Sequence, residues 1–471
     1  MLRPFFLLLI ASLTSPNILA LCAPTATSCI SSLDTLSITT LRSRQYQSSP
    51  SLTKHLSTND ALSKYARHYS LDGTLPFHSY IVSYQSDLRM VYARLDIPST
   101  AMPAKGYPII IFAHGWVGQE KAHSYNFGYD LRSLTGELIN GYVDAGFIVI
   151  TPGYLGHGTV DGVQAEGFEI MQSWDNATYL APTFYAIDLL NLLEGLSFIN
   201  SADWKKWAGN KRLSPKVNLR AINLAGHSQG GDVALTALAV SGEHSSIKNT
   251  FATASIWSGN IPGRFTQLET FAPMATTLQA FVSGDGSWTG TDKGSDNSIN
   301  PNFIFPWPSD FIGTLDTSSP DWTWQSEQWS EPNVESVVRS RYKIMYDRIE
   351  AQVIDLEDLT ISIDTDGEGK LIIKHPPEFE RKMLAIGGYD AVAFLTEPLL
   401  LHCSDRDYYS MPSWNQDLAK RINQQGGKAK TFIYNGNTHG LKRSQYGWFS
   451  PDDTSDGFLQ AVKRDILLFA H

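Results

Sequence analysis

The run Gly226-His227-Ser228-Gln229-Gly230 sets one serine between two glycines at a spacing that suits nucleophilic chemistry. Residues 221–225 before it are apolar and read as a buried strand, and residues 232–240 after it carry helical periodicity. At such a junction G-x-S-x-G closes into a tight turn that holds the serine in a strained conformation. The flanking glycines let strand and helix approach, and the hydroxyl stands exposed above a sheet at a helix N-terminus. Ser228 is the candidate nucleophile, with Gly226 and Gly230 the glycines of its elbow.

A serine hydroxyl is a weak nucleophile at neutral pH, so it needs a base, and the base needs an acid to orient it. After an elbow of this kind the partners follow in the order serine, acid, histidine. Beyond the acids near residue 405 only His439 and the terminal His471 remain. His439 lies in a glycine-rich loop, residues 435–440, that follows an apolar strand, where an imidazole can lean back over a sheet edge. It is the candidate base. The acid falls in Ser404-Asp405-Arg406-Asp407. Matching this segment to a G-x-x-D turn selects Asp407, with Asp405, two residues earlier, the alternative. Two N–H groups must meet the developing oxyanion. Gln229 supplies one, directly after the nucleophile, and the loop His114-Gly115-Trp116-Val117-Gly118 supplies the other, assigned to Trp116. His114 reads as a structural histidine of that loop, and residues 153–158 as a tight loop with no catalytic side chain.

These residues, in this order, resemble the α/β-hydrolase superfamily over residues 78–260 and 397–471. Within it the chain is similar to secreted lipases and carboxylesterases with a large cap before the acid-bearing strand. The resemblance implies a mostly parallel sheet flanked by helices and hydrolysis of a small-molecule ester, with an apolar acyl group, through an acyl-enzyme and without a cofactor. Gly153 departs from the aspartate common among relatives, at a position that is structural in them. Two other functions remain open: a serine peptidase resembling the prolyl-oligopeptidase group, and a binding protein on the same fold.

The elements that must position these residues follow from hydrophobic patterning. Strands 79–84 and 90–95 flank a turn at Gln85-Ser86-Asp87. Unbroken apolar runs at 108–113 and 147–150 suit parallel strands buried on both faces, with a crossover helix at 133–144 between them. A helix at 180–196 and a strand at 252–257 continue the α/β alternation. It resumes with strands at 398–402 and 431–434 and helices at 414–423 and 458–469. The catalytic core is therefore expected over 78–261 and 397–471, preceded by a loosely helical extension over 21–77. The intervening 262–396 is too long for a plain connection and is expected to form a cap, with a helix at 334–353 and a hairpin at 364–367. Its tryptophans Trp288, Trp307, Trp322, Trp324 and Trp329 suit either an apolar substrate pocket or the cap's own core.

Residues 1–20 combine Arg3, an apolar run and a small-residue site at Ala20, the pattern of an export signal, which points to a secreted or envelope protein. Leu19-Ala20-Leu21-Cys22 offers lipid anchoring as a lesser alternative. Cys22 and Cys29 are spaced for a small disulfide loop, Cys403 reads as a small apolar residue, and Asn176-Ala177-Thr178 is a glycosylation sequon. No Cys/His cluster has metal-ligand spacing, and the only long apolar run is too short to span a bilayer. A formal charge of −10 without a basic run leaves nothing to hold a nucleic acid.

Overall fold

The computed structural model describes residues 29–56, 77–127, 134–174, 178, 180–208, 214–262, 345–356, 359–367, 371–404, 407, 410–434, 439–441 and 457–470. Their centre is a nine-stranded sheet. In chain order its strands are β1 (Ser51–Leu56), β2 (Phe77–Ser86), β3 (Arg89–Pro98), β4 (Tyr107–Ala113), β5 (Ile148–Pro152), β6 (Val217–His227), β7 (Thr253–Trp257), β8 (Leu399–Ser404) and β9 (Ala429–Tyr434). Across the sheet they run β1-β2-β3-β5-β4-β6-β7-β8-β9. From β5 onward every pairing is parallel, while β1–β2, β2–β3 and β3–β5 are antiparallel. The chain enters through a hairpin, swaps β4 with β5, and then winds outward in one direction.

Helices packed around the sheet include α1 (Ile38–Ser43), α2 (Leu134–Asp144), α3 (Ala181–Gly195), α4 (Gln229–Ser241), α5 (Pro377–Leu384), α6 (Pro412–Gln424) and α7 (Gly457–Phe469). The pleat of β4 divides its side chains cleanly. Ile109 and Ile111 join the core shared with α3, α4 and α6, and Ile110 and Phe112 join the core shared with α2 and α7. This two-sided burial is why the strand reads as an unbroken apolar run.

One expected turn shifts. The β2–β3 strands pair as far as Ser86 with Arg89, so the turn is Asp87-Leu88, not Gln85-Ser86-Asp87. Both turn residues have positive φ, 48° and 67°, the twist that two-residue hairpins need. Asp87 is held there by an ion pair with Arg44, and Leu88 is exposed, so its sequence gives no turn signal.

The segment before β2 contributes more than short helices. Strand β1 extends the sheet by pairing with β2, and α1 packs on α4. Arg42 at the end of α1 donates to the carbonyls of Ala239 (2.6 Å) and Glu243, at the C-terminus of α4. A guanidinium there satisfies end carbonyls and complements the helix dipole. The described part of the expected cap also leans on this segment. Residues 345–352 are helical, Ile30 donates to Gln352 (2.8 Å), and Lys382 of α5 pairs with Asp34 (3.8 Å). The hairpin Ser362–Thr365 with Leu371–Lys374 forms where Asp366-Gly367 marks a turn. Most of the cap, its five tryptophans, residues 1–28, Cys22 and Asn176 lie outside the described residues.

One buried carboxylate ties the far half of the sheet to the helices over it. Asp465 of α7 is fully buried. Its Oδ1 accepts from Ser255 (2.6 Å) and His402 Nε2 (3.0 Å), and its Oδ2 accepts from Tyr142 (2.6 Å) and Trp257 Nε1 (2.6 Å). Behind His402, Nδ1 meets the Tyr434 hydroxyl at 2.8 Å, and that oxygen accepts from Arg464 (3.2 Å). A continuous chain of hydrogen bonds thus links Arg464 through Tyr434 and His402 to Asp465. An amide cannot accept on both arms. Asp465→Asn is expected to lower stability by about 3 kcal/mol, read as an earlier urea midpoint with an unchanged slope.

Candidate active site

Strand β6 ends at His227 and α4 begins at Gln229, so one residue makes the turn. Ser228 does so at φ 58°, ψ −126°, outside the regions an L-residue ordinarily occupies. Such a conformation costs about 1–3 kcal/mol and persists only where its surroundings enforce it. Here they do. The Ser228 N–H donates to Trp257 O (3.0 Å), and its carbonyl accepts from the N–H groups of Gly231 (2.8 Å) and Asn260 (3.0 Å).

The two elbow glycines are required by contact. A Cβ on Gly226 would come within 2.2 Å of the Gly230 carbonyl oxygen, and one on Gly230 within 2.1 Å of Ala113 O. Gly115 is a looser case: its Cβ would lie 3.1 Å from the Ser228 Cβ, which places the loop after β4 directly against the nucleophile. A nine-stranded sheet of this order, with a strained serine between the β6 strand and the α4 helix, decides the fold. The chain has the α/β-hydrolase fold.

Asp407 follows β8 and is buried, and its Oδ2 lies 2.7 Å from His439 Nδ1. The carboxylate accepts from Nδ1–H, which leaves Nε2 as the nitrogen available to a substrate or to serine. Asp405 lies outside the described residues. The His227 ring, on the residue before Ser228, packs on the His439 ring with centroids 4.9 Å apart. Gln229 is buried in the first turn of α4, and Trp116 is half-buried on the Gly115 loop.

That loop is braced from behind by an aromatic box. His114 stacks between Tyr125 (4.4 Å) and Tyr154 (4.3 Å), with His157 edge-on at 5.5 Å. Burial, reinforced by His157, pushes the His114 pKa down to about 3, so the ring is neutral and carries one N–H. Its Nδ1 is 2.7 Å from Gly115 O and its Nε2 3.5 Å from Gly153 O, which puts the proton on Nδ1. His114 therefore fixes the loop through the Gly115 carbonyl. His157 is likewise held neutral by burial, with a pKa down to about 4, and its Nδ1 donates to Leu155 O at 2.8 Å. Gly153 fits the same box: a Cβ there would meet Phe127 at 2.4 Å.

Sequence reasoning passed over His227 and Asn260. The first sits at an unrestricted position of its motif, and the second reaches Ser228 through its backbone N–H, which carries no side-chain signal. Among the described residues no group of three or more His, Cys, Asp or Glu side chains could hold a metal, and no helix is long and apolar enough to cross a membrane.

No protein-family model matches the chain, and no curated protein matches it in sequence. Solved structures do. It is similar to a puromycin hydrolase at 13% identity, covering 81% of this chain and 37% of that one, with a TM-score of 0.41. An acylaminoacyl peptidase from Pyrococcus horikoshii matches at 12% identity over 86% of this chain and 43% of that one, TM-score 0.44. An acetyl xylan esterase from a Thermoanaerobacterium species matches at 14% identity over 94% and 95%, TM-score 0.42. The chain spans about two fifths of the length of the first two.

Gly230→Ala is expected to destabilise the fold by at least about 3 kcal/mol, because the new methyl meets two rigid backbone carbonyls. Gly115→Ala, whose methyl would lie 3.1 Å from the Ser228 Cβ and 3.3 Å from the His227 carbonyl oxygen and so needs a shift of only a few tenths of an ångström, is expected to melt within a few degrees of the parent. Thermal denaturation of the pair checks both.

Proposed function

We propose that the chain is a serine hydrolase that cleaves carboxylic esters through an acyl-enzyme, with Ser228, His439 and Asp407 as its triad. The observation that carries this reading is the Asp407–His439 hydrogen bond, 2.7 Å long, beside a serine held at positive φ. In the proposed reaction Ser228 Oγ attacks the ester carbonyl while His439 Nε2 takes its proton. Asp407 keeps the other imidazole proton on Nδ1 and stabilises the imidazolium that forms. The carbonyl electron pair moves to oxygen, where the N–H groups of Gln229 and Trp116 receive it. Collapse expels the alcohol, which leaves with the proton from His439. Water, activated by the same imidazole, then attacks the acyl-enzyme, and collapse returns the proton to Ser228 as the acid departs.

A substrate with an apolar acyl or aryl group is supported by the Gly115 loop. Trp116 and Val117, both half-buried, add apolar surface beside Ser228 that suits an acyl or aryl group. Export to the cell envelope or beyond, read from residues 1–20, is part of the same proposal.

Three measurements test it. A fluorophosphonate should label the folded protein and fail to label Ser228→Ala; an unlabelled parent overturns the serine-hydrolase reading. Rates on p-nitrophenyl esters should exceed those on aminoacyl p-nitroanilides, and activity confined to the anilides would favour a peptidase. Asp407→Asn should lower kcat by about 10⁴-fold with little change in KM.

A further inference from the structure

We infer that His227 is a positioning residue that fixes the backbone of His439, a role resting on the triad proposed above. Asp407 holds the ring of His439 through Nδ1. A hydrogen bond at the ring does not by itself set the position of the main chain that carries it. His227 supplies a second point of attachment. Its Nε2 lies 3.3 Å from the His439 carbonyl oxygen, and the two rings pack with centroids 4.9 Å apart at an angle of 56°.

The direction of that hydrogen bond follows from the ring's surroundings. A carbonyl only accepts, so His227 Nε2 must carry the proton. Burial, with a further contribution from His439, holds the His227 pKa well below its ordinary value, so the ring has no second proton. Nδ1 is then an acceptor. It faces the loop after β4, where a Cβ on Gly115 would be 3.4 Å away. One neutral ring thus lies between the loop that bears Trp116 and the loop that bears the base. Being covalently next to Ser228, it moves only when the elbow moves. The nucleophile, the oxyanion loop and the base are referred to one rigid element. Neutrality matters as well: an imidazolium here would oppose the positive charge that His439 gains in the reaction.

The two side-chain amides separate this role from simple packing. The amide nitrogen of glutamine can occupy the place of imidazole Nε2, whereas that of asparagine reaches only as far as Nδ1. With a p-nitrophenyl ester, His227→Gln should keep kcat within about threefold of the parent. His227→Asn and His227→Leu should lose about 10- to 100-fold in kcat, the scale expected when a reacting group is misplaced by about an ångström. KM should stay within twofold in all three, and fluorophosphonate labelling should slow in step with kcat. If Leu supports parental kcat, or if Gln and Asn fall equally, the inference is wrong. Should Leu fail to fold, the Gln and Asn pair alone decides. An inactive, unlabelled parent would instead remove the triad reading on which the inference rests, so the two failures are distinct.

Discussion

Three backbone contacts around Ser228 set the conditions for everything near it. The α carbon of Gly226 lies against the Gly230 carbonyl, and that of Gly230 against the carbonyls of Ala113 and His114. The third is Gly231, where a Cβ would come within 2.5 Å of the Gly259 α carbon. No side chain fits between these segments, so the ends of β4, β6 and β7 and the start of α4 are locked together. The strain at Ser228 is held by that lock and by three hydrogen bonds to its own backbone N–H and C=O. A serine on a freer turn would relax to an ordinary conformation and lose its exposure above the sheet.

Asp407 and His439, the proposed acid and base, come from the other half of the sheet, which must be held in register with the elbow. Parallel pairing of β7, β8 and β9 supplies part of this. The Asp465 network supplies the rest, because it joins side chains of β7 and β8 to α2 and α7 through one carboxylate, and β9 through Tyr434 and His402. His402 lies five residues before Asp407, and its backbone oxygen accepts from Ser258 N at 2.7 Å, next to the loop that reaches Ser228. Four hydrogen bonds make this buried charge affordable where one would not.

How much of this was legible in the sequence follows from the range of the interactions. The strands and helices of the core, and the candidate site residues on them, declared themselves through local signals: apolar runs, a G-x-S-x-G junction, a glycine-rich loop after a strand. Features set by distant partners did not. The Asp87-Leu88 turn depends on an ion pair with Arg44, 43 residues earlier. The Asp465 network spans residues 142 to 465, and Arg42 caps a helix that ends 199 positions later. Strand β1 was missed for a related reason. A short edge strand with one buried position, Leu52, presents too little apolar pattern to be told from loop.

Charge placement completes the logic of the site. His114, His157 and His227 all lie close to the oxyanion loop or the elbow, and burial lowers the pKa of each. Among the described residues none of the three has a carboxylate on a ring nitrogen; the hydrogen bonds of their ring nitrogens are to backbone carbonyls. A carbonyl orients an imidazole without paying for a full positive charge on it. Only His439, among the four, has a carboxylate against Nδ1. In the proposed mechanism the proton leaving Ser228 therefore has one acceptor able to carry it as a stabilised cation. The surrounding histidines act as neutral struts, and their neutrality keeps the field at His439 governed by Asp407.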